Sequence, residues 1–101
     1  MAALEWDLDA VAHMRDRHGI TPIEAEEAIN DPDALLLSPD PASRSGKSDR
    51  YVGWSRTRAE VLVVIVVRHD GRVYGGNAWP ANDAHCKLYQ ERRDDERSNP
   101  R

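Results

Sequence analysis

The chain has 101 residues, a single cysteine, no phenylalanine and a net charge of −4. That length supports one core and not two, and a lone Cys86 excludes an internal disulfide and fits a reducing compartment. No apolar stretch reaches membrane-spanning length, and the opening residues lack a basic region followed by an apolar one, so neither a membrane span nor a signal peptide is expected.

The charge is unevenly spread. Residues 1–40 carry ten acids against two arginines, a balance of −8, whereas residues 44–72 carry seven bases against three acids, a balance of +4. Only the middle segment is suited to attract a polyanion.

In chain order, Leu4-Glu5-Trp6 fits a short opening strand. Asp7 is placed to cap a first helix with Leu8, Val11, Ala12 and the stem of Arg15 along one face, ended by Gly19. Thr21-Pro22-Ile23-Glu24 is a capping-box sequence with Pro at the first helical position. It opens a second helix with a stripe of Ala25, Ala28 and Ile29, stopped at Asn30-Asp31-Pro32. Ala34 to Leu37 suits a short strand, Ser38 to Asp49 a loop, and Arg50 to Ser55 a strand with Val52 and Trp54 on one face.

Val61-Leu62-Val63-Val64-Ile65-Val66-Val67, six of its seven residues β-branched, reads as a strand covered on both faces. Asp70-Gly71 supplies the turn of a hairpin whose second strand runs from Arg72 to Trp79. Counting back from that turn sets Val67 against Tyr74, Val64 against Asn77 and Leu62 against Trp79, with Gly75-Gly76 fitting a bulge or a close approach. A final helix, capped by Asn82 or Asp83, has Ala84, Leu88 and Tyr89 on its apolar side.

The expected fold class is α+β: two N-terminal helices and one C-terminal helix packed on one face of a small antiparallel sheet. Residues 1–93 form one domain, and 94–101 a flexible charged tail.

His13 and His18, five apart, fall on different helix faces, and His85-Cys86 stands far from both, so no metal and no cofactor are expected. The basic residues carry the chemistry instead. Arg56 and Arg68 are candidates to hold a phosphate, and His69 or His85 to move a proton. Arg58, Arg72 and Asn77, a polar residue in the core hairpin, are further candidates for contact with a polyanion.

Leu4-Glu5-Trp6-Asp7, followed by His13-Met14-Arg15-Asp16-Arg17-His18-Gly19-Ile20-Thr21-Pro22, resembles the opening of BrnT-type toxins of the RelE/ParE superfamily. The later order, an Arg-bearing hairpin, an apolar strand and a strand through Ala78 into a helix holding Tyr89, is similar over residues 4–90. The resemblance implies a toxin of a type II toxin–antitoxin system: a cytoplasmic, metal-independent RNA endonuclease, free or ribosome-linked, neutralised by a cognate antitoxin. It makes RNA the polyanion, carries the hairpin arginine onto Arg56 and adds Lys87 and Tyr89 as RNA-binding residues. The chain departs from that pattern at Trp79-Pro80 and at His85-Cys86, where an arginine and a Glu-Arg pair are common in the family. The alternative expectation is a non-catalytic interaction module of the same fold, with Trp79-Pro80 and Tyr74 as a partner surface.

Overall fold

The structure, a computed structural model, describes residues 4–98, with side chains to residue 95. Two helices, α1 (Leu8–His18) and α2 (Pro22–Ile29), precede β1 (Leu35–Leu37), β2 (Ser48–Ser55), β3 (Glu60–His69) and β4 (Arg72–Pro80), and α3 (Asp83–Ser98) closes the chain. The strands form one antiparallel sheet in the order β1-β2-β3-β4.

The α+β class is as the sequence indicates, but the helices do not share one face. Leu62, Val64 and Val66 of β3 join Met14, Ile20, Ala25, Ala28, Ile29 and Ala78 in a cluster under α1 and α2. The alternate residues Val61, Val63 and Ile65 join Val52, Trp79 and Tyr89 in a second cluster under α3. An unbroken apolar strand is covered on both sides here, and α3 provides the second cover. Helix α3 runs on to Ser98, through the first part of the segment expected as a tail; residues 99–101 lie outside the described residues.

Local signals set the helix ends. Asp7 Oδ1 accepts from the Ala10 N–H at 2.9 Å, and Gly19 closes α1 in the left-handed conformation. Thr21 and Glu24 form the reciprocal capping box of α2. The buried side of α1 differs from the expected one. Leu8 is 86% exposed and Arg15 lies in solvent, while Met14 is fully buried. The segment before α1 explains this: Glu5 pairs with the edge of β4 through its own N–H to Val73 O and its carbonyl to Gly75 N, both 2.9 Å. That pairing fixes where α1 starts, and Met14, not Leu8, is the α1 residue that enters the core.

The hairpin turn is the expected one, with Asp70 and Gly71 both at positive φ. His69 faces Arg72, Val67 faces Tyr74 and Val66 faces Gly75. Beyond that the register slips, because Gly76 is an extra residue: Ile65 faces Asn77, Val64 faces Ala78, Val63 faces Trp79 and Leu62 faces Pro80. Trp79 therefore packs with Val63 under α3 and not beside Leu62, and Ala78 lies under α1 and α2.

Candidate functional site

The expected phosphate-binding pair is split by the sheet. Arg56 follows Ser55, which pairs with Glu60 at one end of β3, while Arg68 stands at the other end. Eight residues of strand separate the two ends by about 26 Å, so the two arginines cannot grip one phosphate. His69, at the hairpin tip, lies with Arg68 and its Nε2 is 3.3 Å from Asp70 Oδ2.

Most of the other guanidinium groups hold the fold together. Arg68 meets Asp49 through Nε at 3.0 Å and Nη2 at 3.1 Å, and its Nη2 also donates to Gly46 O, which fastens the loop before β2. Arg58 bridges Glu60 at 2.6 Å and donates to Gly19 O at the end of α1. Arg72 lies 3.4 Å from Glu5. Arg56 sits in acidic surroundings, lining an open cavity of about 570 Å³ with Glu26, Glu27 and Asp31. Three carboxylates around one guanidinium repel a phosphate backbone.

Tyr89 is also structural. It is 3% exposed, and its hydroxyl donates to Asp31 Oδ2 at 2.5 Å. The same carboxylate accepts from the Trp54 and Asp33 N–H groups, joining the end of α2 to β2 and α3. Burial, then the hydrogen bond to Asp31, pushes the Tyr89 phenol well above its ordinary value. Asn77 Oδ1 accepts from the Ala78 N–H beside the bulge, and Lys87 is exposed on α3.

One sequence-indicated residue, His85, does meet complementary chemistry, and its partner is Arg50, which sequence reasoning missed. Arg50 projects from β2 on the α3 side of the sheet, 16% exposed. Its Nε lies 3.1 Å from Asp40 Oδ1, an ion pair in which the N–H points past the carboxylate. Its guanidinium lies over the Trp79 ring, 5.8 Å from the centroid, and Nη1 is 3.2 Å from His85 Nε2.

The surrounding bonds fix the imidazole tautomer. Asn82 Oδ1 accepts from the His85 backbone N–H at 2.8 Å, so it is the oxygen; His85 Nδ1, 2.9 Å from the same atom, must donate to it. A guanidinium only donates, so Nε2 offers its lone pair to Arg50. Helix α3 supplies the histidine, its capping residue orients it, and β2 supplies the cation. This places a proton acceptor beside a positive charge.

A sign of Arg50 is visible in the sequence: it stands two residues before Val52, a charge on the apolar face of an alternating strand. Asp40 and His85, ten residues before it and 35 after it, follow no local spacing.

Among the described residues no group of acids, histidines and cysteines is arranged to hold a metal, and no helix is long and apolar enough to cross a membrane. No protein-family model matches the chain, and no curated protein matches it.

Proposed function

We propose that the chain is the toxin of a type II toxin–antitoxin pair, a cytoplasmic RNA endonuclease whose protein partner is a cognate antitoxin. The observation that carries the reading is the Arg50–His85 contact, with the Nε2 lone pair oriented by Asn82 and the guanidinium set against Trp79. The resemblance of residues 4–90 to BrnT-type toxins supports it.

In this reading the RNA 2′-hydroxyl attacks the adjacent phosphorus. His85 Nε2 takes the hydroxyl proton as the new O–P bond forms, the bond to the 5′-oxygen breaks, and the leaving oxygen takes a proton from solvent water. Arg50 turns its N–H groups from the imidazole to the phosphate oxygens, where negative charge builds. Arg44 and Lys47, on the loop that carries Asp40, and Lys87 on α3 are exposed.

A labelled single-stranded RNA incubated with purified chain tests this. Cleavage should leave a 2′,3′-cyclic phosphate, stop when the scissile nucleotide is 2′-deoxy, and fall roughly 10²- to 10⁴-fold in His85→Ala. Arg50→Lys keeps the charge but not the paired N–H groups, and should lose part of the rate. Cleavage by His85→Ala at the wild-type rate would overturn the assignment.

A non-catalytic interaction module is the second reading, and the engagement of Arg58, Arg68 and Arg72 with carboxylates favours it. A folded wild-type chain that leaves RNA intact and does not arrest growth would select that reading.

A further inference from the structure

The open cavity between α2 and the end of β2 has a composition unlike the Arg50 side of the sheet. Two large apolar side chains flank it in solvent, Ile23 at 70% exposure and Trp54 at 39%. Glu26, Glu27 and Asp31 carry its negative charge against Arg56 alone, and Pro32 stiffens one wall. Each carboxylate is fixed in place. Glu26 Oε2 accepts from Trp6 Nε1 at 3.3 Å, and Glu27 accepts from Ser55 Oγ, Thr57 N–H and Thr57 Oγ1 at 2.7 to 3.0 Å. Asp31 is held by the Trp54 and Asp33 N–H groups and by Tyr89.

Fixed negative charge around an exposed apolar pair is a preorganised receptor: nothing has to be ordered before an occupant arrives. We propose that this groove docks a basic segment of a partner protein, with one large apolar side chain seated between Ile23 and Trp54 and flanking Lys or Arg residues facing Glu26 and Asp31. Charge sign selects the occupant. RNA is repelled by the net negative lining, and an uncharged apolar segment leaves the carboxylates without a counterpart. The surface belongs to the acidic N-terminal part of the chain, so the long-range field steers a cationic partner to the same place.

The inference rests on the groove and not on RNA cleavage. Its test is a phage-displayed library of random 12-residue peptides panned against the full chain. Enriched clones should pair Lys or Arg with a single large apolar residue. The best clone, made as a labelled synthetic peptide, should bind at least tenfold more weakly to Ile23→Ser. That change at a solvent-exposed helix position leaves the fold intact. Glu26→Gln keeps an acceptor for Trp6 but removes the charge, and should weaken binding severalfold at low salt and less at high salt. His85→Ala should bind the peptide as wild type does, which separates this site from the nuclease reading. Enrichment of acidic or uncharged clones, or no enrichment, overturns the proposal. So does unchanged affinity of Ile23→Ser, displacement of the peptide by single-stranded RNA, or burial of Ile23 in a dimer of this chain.

Discussion

Gly53 shows how much of this fold depends on one absent carbon. A Cβ built there would lie 2.0 Å from the carbonyl oxygen of Ala28, so the backbone of α2 rests directly on β2. A neighbouring side chain could rotate away from a new methyl, but a helix carbonyl cannot. Gly53→Ala should therefore displace α2 and cost about 3 kcal/mol or more, seen as a lower urea midpoint. Gly75 meets a different neighbour: a Cβ there would lie 2.2 Å from the Trp6 ring, a side chain packed on the core and held by its bond to Glu26. Polar residues divide in the same way by what surrounds them. Arg58 and Arg68 are committed to carboxylates and backbone carbonyls, whereas Arg50 keeps a terminal nitrogen beside an imidazole lone pair.

Between elements, Glu27 ties α2 to the β2–β3 turn. The Thr57 N–H, then the Thr57 and Ser55 hydroxyls, favour its ionised form and hold its carboxyl below the ordinary 4.5, with Arg56 adding a smaller attraction. The sign follows from linkage. A depressed native pKa contributes stability that is full above the unfolded value and is lost as pH falls through the native one. Acid unfolding of the wild type should accordingly lose this contribution below pH 4.5, while Glu27→Gln starts less stable at neutral pH and declines less steeply. Denaturant melts of both chains across that range check it.

The elements also show what could be read in advance. Helix caps depend on residues within a few positions, so Asp7, Thr21 and Glu24 announce them. The docked side of α1 depends on Glu5 pairing with β4 nearly 70 residues later, and no periodicity within Leu8–His18 carries that information. The site divides likewise. His85 is conspicuous as a histidine near a helix start, but its partner becomes evident only when β2 and α3 lie on each other.

At the scale of the whole molecule, the uneven charge along the chain becomes an uneven charge between layers. The acidic N-terminal residues build the α1–α2 layer, and the basic middle builds the strands. Two bases of that middle segment turn toward the acidic residues, Arg58 beside Glu24 at 3.7 Å and Arg72 beside Glu5 at 3.4 Å. What keeps the right residues on each side is a matter of number as much as of identity. With Gly76 present, Trp79 stands across from Val63 and Ala78 from Val64; without it, every residue from Asn77 onward would move one step along β3 and change sides. The indole would then be driven toward the layer where Ala78 has no exposed surface at all, and Ala78 would leave a gap beneath α3. Gly76→Ala asks much less: the new methyl meets Val67 Cγ2 at 3.3 Å, and φ is not positive. The substitution should leave a cooperatively unfolding protein weakened by about 1–2 kcal/mol, and the single-residue deletion should abolish cooperative unfolding. In this hairpin a residue with no side chain serves as a spacer in a reading frame: its letter can change, but its place cannot be struck out.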